Sequence, residues 1–116
     1  MPEYRVNQPG VDKAKSMIDA GQYDIDTEWG DGAPTADEGT DQIDRHGYEG
    51  YGEWHLAIDT EASEDTKDRY AFPFGDFRRV HRSALIHAKQ RASQNDHDAI
   101  VDIADEVLST LDATRS

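Results

Sequence analysis

Three closely spaced arginines are the residues of this chain best suited to bind another chemical group. Arg78, Arg79 and Arg82 lie within five residues of one another. The planar guanidinium of arginine can donate two parallel hydrogen bonds to a carboxylate or a phosphate. The segment 76–94 holds five basic residues and one acid, Asp76, in a chain whose net charge is -13. The cluster therefore predicts an anionic partner.

Three kinds of partner for these arginines remain open. Acidic segments of the chain itself, such as residues 59–68, could fold over them and form ion pairs, as structural networks commonly do. An acidic protein, or a second copy of this chain, could supply the carboxylates instead. The third kind is a phosphorylated small molecule or a nucleic acid. Nucleic acid is disfavoured, because its binding weakens steeply with salt and a chain of this charge repels a polyanion.

Aromatic residues and a histidine accompany the arginines. Phe72 and Phe74 precede the cluster, and His81 lies inside it. A surface of arginine and aromatic side chains favours a protein-interaction role over an enzymatic one. We therefore predict that the segment 72–82 is the contact surface of the protein.

In an alternative, enzymatic interpretation, His55 or His81 acts as an acid–base group with nearby acids. His81 and Ser83 are two residues apart and point apart on a helix, so they do not form a nucleophile–base pair. No catalytic residue is assigned, and whether the protein is an enzyme stays open.

Metal-binding patterns are incomplete in this sequence. None of the five histidines forms the H-x-x-x-H pair that places two imidazoles on one helical face. Asp24, Asp26 and Glu28 resemble the start of a calcium loop, but position six is Trp29 and position twelve is Thr35. We predict no metal site and no cofactor.

The acidic residues are dispersed along the whole chain. Aspartate supplies 17 of the 25 acids, and there are only 4 lysines. This composition indicates a protein adapted to molar salt. At that salt concentration the Debye length shrinks to about 3 Å, so repulsion among the acidic side chains is screened. High net charge with few aliphatic residues is also typical of intrinsic disorder. Ten aromatic residues and the helical periodicity of the last third favour a folded halophilic domain.

Cysteine is absent, which excludes disulfides, a thiolate zinc site and a thiol nucleophile. No apolar stretch approaches the ~20 residues of a membrane span, and the N-terminus lacks the apolar run of a signal peptide. We expect one domain over residues 1–116, located in the cytoplasm without membrane contact.

Helical signals recur along the chain, so the predicted class is a mainly α, small helical domain. Apolar spacing predicts a first helix at residues 11–20, ended by Gly21. Thr35 and Glu38 form a capping-box pattern, which predicts a second helix that ends near Gly47.

Two segments are predicted to be extended. Residues 23–29 alternate between acids and larger side chains with period two, and they could pair with residues 4–6 as a short two-stranded element. Pro73 disfavours helix at the preceding residue, so residues 70–74 should also be extended.

The last third is expected to end in an antiparallel helical hairpin. The first of its helices should begin near Asp76 and end near Ser93. The second should begin at Asn95 or Asp96 and carry an apolar stripe, formed by Ile100, Ile103, Ala104, Val107, Leu108 and Leu111. The connector is short, which favours antiparallel packing.

The stretch from Arg69 to Ile86, with the motif F-P-F-G-D-F-R-R-V-H-R-S, resembles a family of small uncharacterised acidic proteins of haloarchaea and actinobacteria. Trp29-Gly30 and residues 54–56 fit the same pattern, so the resemblance covers most of the chain. It implies no particular activity. The last third is also similar to C-terminal helical segments of some phage head-assembly proteins, which implies an assembly or interaction role.

We therefore expect a non-enzymatic protein-interaction or assembly module of a halophile, with a protein partner or a homo-oligomer as its target. The alternatives are a binder of a phosphorylated ligand or nucleic acid through the arginine cluster, and a small acid–base enzyme that uses His55 or His81.

Overall fold

Over residues 3–115, which the computed structural model describes, the chain forms five α-helices and two small β-sheets and is mainly helical. The prediction of one domain also included Met1, Pro2 and Ser116, which lie outside the described residues. The elements follow one another in the order β1 (Tyr4–Val6), α1 (Gln8–Asp19), β2 (Tyr23–Asp24), α2 (Trp29–Gly32), α3 (Ala36–Gly52), β3 (His55–Asp59), β4 (Tyr70–Pro73), β5 (Val80–His81), α4 (Arg82–Gln94) and α5 (Asp98–Thr114).

The larger sheet is antiparallel and has β3 in its middle, between β1 and β4. Leu56 and Ala57 are neighbours in β3 and therefore point to opposite faces of the sheet, yet both are fully buried. Consecutive residues of the middle strand are therefore apolar, and the strand does not alternate between apolar and polar side chains. β4 confirms the extended conformation predicted for residues 70–74 only as far as Pro73, and within it Phe72 departs from extended backbone with φ of 59°.

The predicted pairing of residues 4–6 with residues 23–29 is wrong. β1 pairs with β3, and β2 forms a separate two-stranded parallel sheet with β5. The strand stops at Asp24 because this side chain accepts hydrogen bonds from the amides of Asp26 and Thr27 and from the Thr27 hydroxyl. A side chain that bonds its own following backbone in this way makes a turn.

The capping box that begins α3 is confirmed. Thr35 Oγ1 accepts from the Glu38 amide at 3.1 Å, and Glu38 Oε1 accepts from the Thr35 amide at 3.0 Å. Gly47, with φ of 75°, interrupts the helix where its end was predicted, and a further short helical segment then runs to Gly52. Glycine tolerates this left-handed conformation without a steric penalty.

α4 and α5 are joined by a three-residue connector and pack against each other in opposite directions. Arg82 at the start of α4 pairs with Asp112 near the end of α5, while Lys89 pairs with Asp105 further along. The predicted stripe of α5 supplies its buried face, although Ile103 and Leu108 are only half-buried. The predicted start of the preceding helix at Asp76 is wrong, because residues 76–79 form a turn and residues 80–81 form β5.

The core lies between the larger sheet and the helices α1, α4 and α5. Its largest fully buried side chains come from strands, helices and the loop after β4, namely Val11, Ile18, Leu56, Phe74, Val80, Leu85, Ile100, Val107 and Leu111. Among residues 3–115, no helix combines the length and the apolar character that a membrane crossing requires.

Candidate functional site

A tight turn between β4 and β5 presents two of the three candidate arginines. We call residues 76–79 the arginine loop. Asp76 fixes it, because its Oδ1 accepts hydrogen bonds from the backbone amides of Arg78 at 3.0 Å and of Arg79 at 2.8 Å. The Asp76 amide donates in turn to the Arg79 carbonyl oxygen at 3.2 Å. Immediately outside the loop, Gly75 bridges to Val80, so the turn is closed at its base.

Phe77 anchors the arginine loop to the body of the protein. Its ring centroid lies 5.8 Å from that of Trp54 and 5.9 Å from that of Tyr51. The backbone of Phe77 has φ of 69°, a conformation that costs a bulky residue on the order of 1–3 kcal/mol. Packing on Trp54, which is almost wholly buried, offsets this cost. Sequence reasoning missed this anchor, because the helix predicted to begin near Asp76 would have included Phe77.

The side chains of Arg78 and Arg79 are exposed. Among the described residues, neither guanidinium makes an ion pair or a hydrogen bond. Asp76 does not neutralise them by pairing, since its Oδ1 holds the two amides and its Oδ2 lies 3.1 Å from His81 Nε2. Two adjacent positive charges are therefore presented to solvent on a fixed turn.

Arg82 has a different role from its two neighbours. Its Nε donates to Asp112 Oδ1 at 2.8 Å and its Nη2 donates to Asp112 Oδ2 at 3.1 Å, which is a bidentate pair. The predicted helix from Asp76 would have carried all three arginines, but only Arg82 lies on α4. The partner of Arg82 also differs from the predicted acidic segment 59–68.

Phe74 and His81 lie in the interior. Phe74 has no exposed surface and His81 is 2% exposed, so neither can touch a partner. Both residues are therefore excluded from the predicted contact surface. Phe74 packs against Trp54 with ring centroids 5.8 Å apart. The His81 ring lies 5.5 Å from the Trp29 ring. Although His81 Nε2 is close to Asp76, neither ring nitrogen makes a well-aligned hydrogen bond within residues 3–115.

Electrostatics around Asp76 favour its charged form. Burial alone would raise the pKa of Asp76, but the amides of Arg79 and Arg78 and the nearby His81 outweigh burial and lower the pKa. The carboxylate that fixes the arginine loop is therefore ionised at neutral pH, and the turn is in place there.

His55, the other histidine of the enzymatic interpretation, lines a pocket of about 270 Å³. Its Nδ1 lies 3.1 Å from the Tyr51 carbonyl oxygen, and since a carbonyl oxygen only accepts, Nδ1 carries the proton. Burial lowers the pKa of His55 to about 4. The described residues that line this pocket include Lys67 but no carboxylate and no arginine. The acids that the enzymatic interpretation requires are thus absent from the described lining.

Phe72 is half-buried and belongs to a second cleft, which residues 76–79 do not line. The predicted site residues consequently fall into four places: the exposed loop, the α4–α5 pair, the core and this cleft. No group of His, Asp and Glu residues suited to hold a metal ion is found within residues 3–115.

No protein-family model, curated protein or solved structure matches this chain. The resemblances to small haloarchaeal and actinobacterial proteins and to phage head-assembly proteins therefore stay predictions.

Proposed function

We propose that this protein is a non-enzymatic protein-interaction module of a halophile's cytoplasm, and that its arginine loop binds carboxylates of an acidic partner protein. The observation that carries this function is the exposure of Arg78 and Arg79 without an ion pair in residues 3–115. The chain has 25 acids for 12 lysines and arginines, so internal carboxylates are abundant, and yet these two side chains engage none of those that lie in residues 3–115.

Exposure without an ion pair is shared, within residues 3–115, by Arg5, Arg45 and Arg91. What distinguishes the arginine loop is that it presents two adjacent charges on one turn.

Other basic side chains of the protein are paired. Lys13, Lys15, Arg82 and Lys89 each pair with a carboxylate of the same chain. Those pairs link helices to one another or to the end of α3. Arg78 and Arg79 make no such pair within residues 3–115, although Asp76 and Phe77 hold the backbone of the arginine loop in place.

Binding to a carboxylate partner should tolerate molar salt better than binding to a diffuse polyanion. Nonspecific phosphate contacts lose affinity steeply as salt rises, because binding there depends on counterion release. A bidentate arginine–carboxylate pair is short-range and directional, so it depends less on long-range attraction. Acidic surfaces like that of this chain supply such carboxylates. The predicted resemblance to phage head-assembly segments, if it holds, would make the complex an assembly.

The test is affinity capture from a halophile lysate in molar potassium chloride. Three baits are compared: wild type, Arg78→Ala with Arg79→Ala, and Arg5→Ala with Arg45→Ala. The last is a matched control, because it removes the same charge from two exposed arginines outside the loop that also make no ion pair in the described part of the chain. We expect a partner that wild type and control retain and the loop variant loses. Sedimentation of the purified protein shows whether that partner is a second copy. Equal retention by all three baits would contradict the function.

A further inference from the structure

We infer that a second site, a cleft beside β4 and the end of α4, binds a small organic anion that carries a planar ring. We call it the aromatic cleft. Its volume is about 500 Å³, within the usual range of small-molecule sites, which are clefts of some 300–1,000 Å³. Two groups of side chains define its chemistry. The aromatic rings are those of Tyr4, Trp29 and Phe72, and the nitrogen-rich side chains are those of His87, Arg91 and His97.

The aromatic side chains that line the cleft pack against one another. The centroid of the Tyr4 ring lies 5.2 Å from that of Phe72 and 4.8 Å from that of His97, with both pairs edge-to-face. Trp29 lines the cleft as well, and His81 packs against its indole. Aromatic side chains in a binding site can stack on nucleobases and other planar rings, largely regardless of which ring it is.

The charge of the aromatic cleft is opposite to that of the chain. Arg91 is exposed and makes no ion pair within residues 3–115. No aspartate or glutamate is among the described residues that line the cleft, although acids outnumber lysines and arginines by 25 to 12. A concave site lined by one sign of charge attracts a ligand of the other sign. His87 and His97 add ring nitrogens that can donate to an anionic oxygen.

The backbone at Phe72 is a further pointer to ligand binding. Phe72 has φ of 59°, which a bulky side chain rarely adopts. Both of its chain neighbours, Ala71 and Pro73, also line the cleft. Non-glycine residues in this region of conformational space cluster at ligand clamps and active sites.

The test is titration calorimetry on the whole chain in molar potassium chloride, with defined probes. Adenosine 5′-monophosphate is compared with adenosine and with ribose 5-phosphate, and indole-3-acetate is compared with indole. The first series carries a phosphate and the second a carboxylate, so together they distinguish the source of the negative charge. We expect at least one ringed anion to bind about tenfold or more tightly than its neutral ring, as one charge-assisted contact allows.

Arg91→Gln should remove this preference, while Arg45→Gln, an exposed arginine outside the cleft, should keep it. The inference is overturned if both ringed anions bind no better than their neutral rings, or if Arg91→Gln and Arg45→Gln behave alike. The latter result is the one expected if Arg91 serves only to complement the carbonyl end of α4. Residues 76–79 do not line the cleft. The Arg78→Ala with Arg79→Ala variant should therefore keep the wild-type preference for ringed anions, which separates this site from the arginine loop.

Discussion

His55 should make the protein lose stability as the pH falls below neutral. Burial lowers the pKa of this histidine from 6.5 to about 4, and backbone hydrogen bonds offset only part of that effect. The unfolded chain therefore takes up a proton near pH 6.5 that the folded chain binds only near pH 4. Since the unfolded state binds more protons across this window, its free energy drops relative to that of the native state as the pH falls from 6.5 towards 4.

The size of this loss follows from the two pKa values. At about pH 5, the imidazole is almost fully protonated in the unfolded chain but only about one-tenth protonated in the native one. The free energy of unfolding should then be about 2 kcal/mol lower than at about pH 7.5. Ordinary carboxylates have pKa values near 4 and titrate mainly below this interval.

Urea denaturation in molar potassium chloride at the two pH values measures this loss. His55→Asn should be less stable than wild type but should not show the drop, because its amide can still donate to the Tyr51 carbonyl oxygen and does not titrate. His46→Asn is the matched control, since His46 is exposed, and it should keep the wild-type drop. A wild type of equal stability at both pH values, or an undiminished drop in His55→Asn, would refute the reasoning.

Three further outcomes can be checked by denaturation. Leu111→Ala should lower the free energy of unfolding by about 2–5 kcal/mol because Leu111 is fully buried. Ile103→Ala should lower it by less because Ile103 is only half-buried. Equal losses in urea denaturation would argue against the packing of α5. Thr35→Ala removes the side chain that caps α3 and should cost about 1 kcal/mol, so an unchanged urea midpoint would show that the cap contributes nothing. The melting temperature, followed by circular dichroism, should rise from dilute buffer to molar potassium chloride as repulsion among the acids is screened; a constant value would rule out adaptation to salt.

Elements that depend on local sequence could be predicted from the chain alone. Apolar spacing located α1 and α5, the Thr35–Glu38 box located the start of α3, and Pro73 marked β4. In each case, residues within one or two turns of one another determine the structure.

The arginine loop could not be predicted because distant contacts determine it. Asp76 accepts hydrogen bonds from amides two and three residues ahead, which is how a helix N-cap also behaves. Pairing of Val80 with Tyr23, and packing of Phe77 on Trp54, decide in favour of a turn. Tertiary contacts of this kind override local preference.

The Arg82–Asp112 pair illustrates an intermediate case. Its two residues are 30 positions apart, and they meet only because α4 and α5 run in opposite directions. The antiparallel hairpin was expected, but the rotation of each helix about its axis was not, and this rotation decides which acid faces Arg82. The aromatic cleft likewise combines residues from β1, α2, β4, α4 and the α4–α5 connector, so no single stretch of sequence marks it.

The most direct test of the central claim is a paired measurement on the Arg78→Ala with Arg79→Ala variant, with Arg5→Ala and Arg45→Ala as its control. The free energy of unfolding and the Kd for the captured partner are both determined in molar potassium chloride. We predict unfolding within about 0.5 kcal/mol of wild type, as for surface substitutions that remove no contact, together with a Kd raised about tenfold or more by the lost charge-assisted contacts. A clear loss of stability with an unchanged Kd would contradict the account, because it would mean that these arginines serve the fold rather than a partner.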